Sequence, residues 1–375
     1  MSRIKRPEAQ PRWDEKRMRW HLKAQHEGKR KSFYSPIEGK KGAKDTKRQL
    51  ENWLDGYSDK ADWRLERAWP EYLSSYKDLV GLSTYTQRKV YGELYIIPEL
   101  GLKKMCAISD QDWQNCITKA GRTVSDRTKR KLSRKTLLNI RATIINFCKF
   151  AERSRMIERA PRELLIPRSA EYLPQKILQP ADIEKLFSTD GGWWIYLWRF
   201  MVVTGLRPGE AMGLQVKDIE GGVLTVRRSL TVLKTETKGK NKNARRRIKL
   251  HKLALSILEE QSEAIMKAGI IHSPWVFPNK YGTEPVQSGV ASAWDRYREQ
   301  TGINCTLYGL RHTFYSLTRN DLTQPMAKML LGHSESMRTD DQYGHEVDGE
   351  LEQAAAIVGG VFAKILTPQK DPVQS

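Results

Sequence analysis

Apolar residues recur at three- and four-residue steps over much of the chain, which is the spacing that buries one face of a helix. The clearest such stripe predicts a long helix that begins near Ser133, whose hydroxyl can cap the first turn. Its apolar members are Leu137, Ile140, Ile144, Phe147, Cys148 and Ala151. Ser109 or Asp110 is expected to cap an earlier helix over residues 112–120, and residues 60–165 as a whole are predicted to be helical.

Near the start of the chain the apolar residues recur at every second position, as in a strand, instead of at helical steps. Residues 20–24 and 31–35 alternate as strands do, a turn is expected between them, and a short amphipathic helix is predicted from about residue 42. Trp20, Phe33 and Tyr34 are interpreted as core residues of this small unit rather than as residues that stack on bases. A solvated basic arm is the alternative, because blocks of charge are often tails.

The rest of the chain mixes the two periods, with strands predicted at 223–226 and 248–250. Helices are predicted near residues 182–187, 194–203, 252–267, 290–300, 310–318, 323–331 and 349–364. Prolines between residues 161 and 180 mark a connector, so a domain boundary is expected near 168–176. The pattern predicts a mainly α protein with small β-sheets (α+β). Its predicted domains are residues 1–57, 60–168 and 177–375.

The net charge of the chain indicates which kind of partner it binds. The formal net charge of the chain is +21, and its first 50 residues hold 16 Lys and Arg against six Asp and Glu. Such an excess indicates nucleic acid or an anionic membrane as partner. No apolar run reaches the roughly 18 residues of a membrane span, and the first 20 residues lack the apolar region of a signal peptide. The four cysteines show no CxxC spacing, so neither zinc nor disulfides are expected and a reducing cytoplasm fits best.

Three short segments carry candidate chemistry. The first, Thr204–Glu210, places Arg207 at a turn, with Glu210 one helical turn later to hold it; the second is Leu307–Thr313, with Arg311. The third is Leu330–Ser334, followed by Tyr343 ten residues after His333. Arginine suits the charge that builds up on a phosphate under attack, because it stays protonated and binds two oxygens at once.

Taken in order and at this spacing, the three segments resemble the boxes of the tyrosine recombinase family, the phage-type integrases. The resemblance implies that Arg207 and Arg311 clamp the scissile phosphate and that His333 hydrogen-bonds a nonbridging oxygen. Tyr343 would then attack phosphorus and give a 3′-phosphotyrosine and a free 5′-hydroxyl. The ester conserves the energy of the broken bond, so no ATP is needed, and the resemblance implies neither a metal nor a cofactor.

Two further positions complete the catalytic set that the resemblance implies. The family carries a lysine before a β-hairpin turn, the expected general acid; Lys238 matches best, and Lys240 and Lys242 compete with it. The family's usual histidine three residues before the second arginine is replaced by Tyr308. A phenol with a reference pKa of about 10 is a poor base near neutral pH, but it can donate a hydrogen bond to phosphate.

The resemblance also assigns roles to the three segments. Residues 1–57 resemble an arm-type DNA-binding domain, a three-stranded sheet on a helix whose strands enter the major groove. Residues 60–168 resemble the helical core-binding domain, and residues 177–375 the catalytic domain with a tail helix. Leu351, Ala355, Val358 and Phe362 can share one face of that helix. It would dock on its own domain or on a neighbouring protomer, and we favour the neighbour.

The implied function is site-specific recombination for a phage or other mobile element, by integration and excision. The expected partners are double-stranded DNA at attachment sites, three further copies in a homo-tetramer on DNA, and accessory DNA-bending or directionality proteins, with no membrane. The expected location is the cytoplasm of a bacterial host, associated with the nucleoid.

Two alternatives remain open at this point. A type IB topoisomerase uses similar residues to relax supercoils, but the arm-like segment and the tail helix favour recombination. A DNA-binding regulator with a decayed active site is the other alternative, and Tyr308 is its only support. Against it stand both arginines, His333, Tyr343 and a hairpin lysine.

Overall fold

The computed structural model of the chain describes residues 10–26, 29–54, 59–126, 129–172, 174–230, 236–237, 245–332 and 349–367. The chain divides into two compact units, Met1–Leu173 and Pro174–Ser375. Among the residues in these ranges, no helix is both long and apolar enough to cross a membrane.

The first unit begins with an antiparallel sheet in the order β1-β2-β3, formed by Arg12–Asp14, Arg19–His26 and Lys29–Ser35. Helix α1, Gly39–Leu54, packs on one face of this sheet. The small core between them consists of Leu22, Ala24, Phe33 and Leu50, with Trp53 and Leu54 against it. The predicted sheet and helix are therefore confirmed.

Tyr34 corrects the interpretation of the aromatic residues in this unit. Phe33 is buried, but Tyr34 is 41% exposed, and the guanidinium of Arg19 lies 4.1 Å from the centre of its ring. Consecutive strand residues point to opposite faces of a sheet, so these two neighbours cannot both face α1. Trp20 is partly buried beside the ring of Trp13.

The rest of the first unit is helical, as predicted. Its helices are α2 Leu65–Tyr76, α3 Leu82–Tyr91, α4 Ile97–Leu100, α5 Asp110–Ala120 and α6 Arg134–Arg153. Ser109 and Ser133 cap α5 and α6 as expected, and every member of the α6 stripe is buried. Helix α3 begins differently, because its N-cap is Gly81 and no side chain caps its first turn.

An ionic network joins the segments that were predicted to be separate domains at 1–57 and 60–168. The Arg48 guanidinium on α1 is 2.5 Å from Asp45 and 3.0 Å from Asp62. The Lys104 ammonium bridges the same two carboxylates at 3.3 Å and 3.0 Å. Both segments therefore belong to one compact unit in this structure, and their separate roles stay a prediction.

The second unit combines helices with small sheets. Its strands are β4 Ile219–Glu220, β5 Val223–Val226, β6 Ser229–Leu230, β7 Glu236–Thr237 and β8 Arg246–Lys249; β4, β5 and β8 form one antiparallel sheet, and β6 pairs with β7. Its helices are α7 Pro180–Ser188, α8 Ile195–Thr204, α9 Pro208–Met212, α10 Lys252–Lys267, α11 Gln287–Thr301, α12 Gly309–Thr318, α13 Gln324–Leu331 and α14 Glu350–Leu366. Helix α8 lies at the centre and packs against α10 and α12.

The tail helix α14 docks on its own domain. It packs against β8, α7 and α12, and its predicted apolar face is buried. Phe362 is fully buried, and its ring stacks on that of His251 with centroids 6.5 Å apart. We favoured docking on a neighbouring protomer, but this single chain buries the apolar face in cis, beside Ile248 and Leu330.

Candidate active site

The first arginine stands at a sharp turn between two helices. Helix α8 ends at Gly205, which has a left-handed φ of 67°, and α9 begins at Pro208. A side chain at Gly205 would both strain the backbone and lie 2.5 Å from the ring of Phe314. Arg207 is therefore fixed at the N-cap position of α9, where its backbone N–H donates to the Glu210 carboxylate at 2.9 Å.

The second arginine is buried on α12. Arg311 is 3% exposed, and its Nη1 donates to the Gly205 carbonyl at 2.9 Å, directly before the turn that carries Arg207. Its Nη2 donates to the Leu331 carbonyl. Two residues that are far apart in the sequence are thus held at the same turn.

Both arginines, and a third, converge on the end of α13. The last two carbonyls of this helix and that of its C-cap residue each accept from a different guanidinium: Leu330 from Arg246 Nε at 2.6 Å, Leu331 from Arg311, and Gly332 from Arg207 Nη2 at 3.0 Å. The C-terminal carbonyls of a helix have no partner within the helix and carry partial negative charge, which favours cations there. The three arginines therefore bind the three consecutive carbonyls that directly precede His333.

Glu210 is the acidic residue that balances this group. Its carboxylate accepts from Arg207 Nη1 at 2.7 Å and from both terminal nitrogens of Arg246 at 3.1 Å and 2.9 Å. Burial alone would raise the pKa of Glu210, but the hydrogen bonds and charge of Arg246, together with Arg207, lower it to about 2. The carboxylate binds two guanidinium groups, and Arg311 at the same turn adds a third, so the cluster has a net positive charge, which suits a phosphate.

The protonation of Arg311 fits the same role. Burial, and then the nearby charges of Arg207 and Arg246, lower the pKa of Arg311 to about 10. The side chain accordingly keeps its proton throughout the neutral range. Arg207 stays 32% exposed, so N–H groups that are not used by Glu210 or Gly332 can reach a ligand.

The lowered pKa of Glu210 predicts an acid-sensitive fold. A carboxylate with a depressed pKa in the folded state stabilises the protein above its unfolded pKa, and this contribution is lost as the pH falls from there through about 2. We expect the unfolding temperature of Glu210→Gln to fall less steeply than that of wild type between about pH 5 and 2, and to be lower at pH 7. Calorimetry across this range measures the difference. Parallel curves for the two proteins would contradict the assignment.

Tyr308 lies at the start of α12, one turn before Arg311. It is 44% exposed, and its ring meets the edge of the His312 ring with centroids 5.3 Å apart. Burial, and then the charge of Arg311, lower the pKa of the partly buried His312 imidazole. The exposed phenol is placed to donate a hydrogen bond near the arginines.

The remaining predicted site residues, Lys238, His333 and Tyr343, lie outside the described residues, as do Lys240 and Lys242. Among the residues that are described, no group of three metal-ligating side chains comes together. Arg246 was not singled out from the sequence. The alternation of Arg246, Ile248 and Leu250 could have placed it on the buried face of β8, and all three side chains are buried.

Comparison with known proteins supports the resemblance to the tyrosine recombinase family. Residues 175–350 match the phage integrase family. The ICEBs1 integrase of Bacillus subtilis (strain 168) is 28% identical over 229 residues, 57% of this chain and 62% of that protein. The chain thus spans less than two thirds of the length of that relative.

Solved structures show the same fold. The Tn1549 transposon integrase in complex with transposon right end DNA superposes with a TM-score of 0.61 at 18% identity, covering 78% of this chain and 98% of that one. A lambda integrase from a tetramer bound to a Holliday junction gives 0.56 at 18% identity, covering 93% and 99%. The predicted mainly α fold with small β-sheets is confirmed. Residues 175–350, which include the arginine cluster, thus form a domain of the phage integrase family, the tyrosine recombinases.

Proposed function

We propose that the chain is a site-specific DNA recombinase of a phage or other mobile element, which cuts and rejoins DNA strands through a 3′-phosphotyrosine. One observation carries the proposal more than any other. Arg207 and Arg311 come from separate segments, yet they donate to the consecutive carbonyls of Gly332 and Leu331. This convergence gives a pair of fixed guanidinium groups at one point, which is what a phosphate under attack requires.

The proposed reaction balances without a metal or a cofactor. The Tyr343 oxygen forms a bond to phosphorus as the bond to the 5′-oxygen breaks, and the phenolic proton is released to solvent. A hairpin lysine, Lys238 in preference to Lys240 or Lys242, protonates the departing 5′-oxygen. Arg207 and Arg311 stabilise the extra charge on the nonbridging oxygens, with His333 and Tyr308 as hydrogen-bond donors. Attack by the 5′-hydroxyl of another strand reverses these steps.

The proposed domain roles follow the same family. Residues 1–57 would bind arm-type sites, 60–168 would bind core sites, and 177–375 would hold the catalytic centre. Three exposed basic side chains, Arg12, Lys23 and Arg30, lie on the sheet face opposite α1 and support DNA binding there. Phosphate contacts of this kind give an affinity that falls steeply with salt.

The proposed partners are attachment-site DNA, further copies of the chain and accessory bending or directionality proteins. The two solved integrases described above were captured with DNA, and the lambda integrase as a tetramer on a Holliday junction. By the same inference, this chain would act as a homo-tetramer on DNA, in the bacterial cytoplasm and associated with the nucleoid.

The test is covalent trapping on DNA. A direct repeat flanking the gene would identify the attachment site, and a duplex of this site would carry a nick close to the exchange point. After cleavage the short 5′-hydroxyl fragment diffuses away, so the phosphotyrosine accumulates. We expect a slow, protease-sensitive band on a denaturing gel in the presence of EDTA. Tight binding of the same DNA with no such band would support a DNA-binding regulator instead.

A further inference from the structure

Arg246 stands apart from the other basic residues of its strand. Arg245 and Arg247 on either side of it are exposed, but the Arg246 side chain is only 5% exposed. Its guanidinium faces the interior of the unit, so it is not available to neutralise the DNA backbone. The proposed function therefore leaves the most enclosed arginine of β8 without a role.

The contacts of Arg246 connect two parts of the candidate site. Both of its terminal nitrogens bind the Glu210 carboxylate, at 3.1 Å and 2.9 Å, in the two-pronged geometry that only arginine provides. Its Nε donates to the Leu330 carbonyl at 2.6 Å, at the end of α13. Glu210 in turn binds Arg207 through the backbone N–H and through Nη1.

We propose that Arg246 is a positioning residue that aims Arg207 at the scissile phosphate through Glu210 and holds the end of α13 that leads into His333. The inference rests on the proposed function and extends it to a residue that would touch neither DNA nor the reacting atoms.

The electrostatics give the physical reason. In the present arrangement one buried carboxylate is shared between two guanidinium groups, so Arg207 is oriented without being fully neutralised. Without Arg246, Glu210 would keep Arg207 as its only charged partner among these contacts. A buried carboxylate that loses one of its two partners is left undercompensated, so its interaction with Arg207 would strengthen. Arg207 would then offer less charge to phosphate and would sit in a different place.

The test compares cleavage by Arg246→Gln and Arg246→Lys with wild type. Single-turnover formation of the covalent complex is measured on nicked attachment-site DNA, and DNA affinity and unfolding temperature are measured alongside. Arg246→Gln should form the complex at least about tenfold more slowly, because small displacements of a positioning group cost up to about a hundredfold. Its affinity for DNA should stay within about twofold of wild type, since contacts to the DNA backbone supply that affinity. Arg246→Lys keeps the positive charge but loses the two-pronged contact with Glu210. Its rate of complex formation should lie between those of wild type and Arg246→Gln.

Arg199→Gln is the matched control, because it removes an arginine with a similar structural role. Arg199 lies in the same unit and donates to the carbonyls of Leu186 and Phe187 at the end of α7, at 3.0 Å and 2.9 Å. This variant should lose thermal stability but cleave at the rate of wild type when assayed below its unfolding transition. If Arg246→Gln fails to fold, Arg246→Lys carries the comparison.

A substrate with a neutral methylphosphonate at the scissile position separates positioning from folding. It lacks the charge that Arg207 stabilises, so the difference in rate between wild type and Arg246→Gln should narrow on it. Equal rates on normal DNA, or a difference of the same size on both substrates, would overturn the inference. If wild type itself forms no covalent complex, the proposed function fails, and this inference fails with it.

Discussion

Replacing Tyr343 with phenylalanine is expected to abolish the covalent complex and to leave DNA binding intact. Phenylalanine keeps the ring but lacks the oxygen that attacks phosphorus, so no bond to the 3′-phosphate can form. The arginine cluster at the end of α13 does not depend on this oxygen, so the phosphate would still be bound. Denaturing gels and binding isotherms on the nicked attachment-site duplex measure the two quantities.

Two other tyrosines provide the controls for this variant. Tyr308→Phe should cleave about fivefold more slowly, since a lost hydrogen bond costs about 1 kcal/mol. Tyr281→Phe, at a position 89% exposed in a turn, should match wild type. A covalent band that persists in Tyr343→Phe would mean that another residue is the nucleophile. Loss of the band in Tyr308→Phe alone would give that phenol a larger role than hydrogen bonding.

Local features of the site and the fold were predictable from sequence spacing. A serine before an apolar stripe predicts the start of a helix, and Ser109 and Ser133 cap α5 and α6 as expected. The three-residue step from Arg207 to Glu210 likewise predicted a contact that the structure has at 2.7 Å. These features depend on one or two turns of backbone, whose geometry the sequence largely determines.

Tertiary features were not predictable in the same way. Three arginines converge on the end of α13, and no local spacing in the sequence predicts this. Arg246 and Leu330 are 84 positions apart, and Arg207 and Gly332 are 125 positions apart. Arg246 was not singled out from the sequence, because a run of three arginines does not by itself show which of them is buried. Arg246 is buried because it forms an ion pair with the buried Glu210 carboxylate inside the unit. The location of Lys238, His333 and Tyr343 relative to this cluster stays a prediction.

The tail helix shows where spacing predicts a face but not its partner. The apolar positions of α14 were identified correctly, and all of them are buried. The surface that they cover could belong to the same chain or to a neighbour, because an apolar face has no directional preference. In this structure the surface is the helix's own domain, beneath Phe362 and Val358.

Phe362→Ala should consequently be among the most destabilising single changes in the second unit. The side chain is fully buried against His251, and truncating a buried phenylalanine costs about 3 to 5 kcal/mol through lost burial and the remaining cavity. Urea unfolding of the full chain measures this loss as a lower midpoint. Gln353→Ala, an exposed position on the same helix, is the control and should change the midpoint little.

The concentration dependence of that result distinguishes the two docking modes. If α14 docks in cis, the loss caused by Phe362→Ala is intramolecular, so the midpoints of wild type and variant are independent of protein concentration. If it docks on a neighbour, wild type gains stability with concentration by mass action, and the variant loses this gain. A dilute sample in which wild type and Phe362→Ala unfold at the same midpoint would therefore contradict cis docking. Midpoints that stay equally far apart at every concentration would assign α14 to the core of its own domain, and synapsis would then require other contacts.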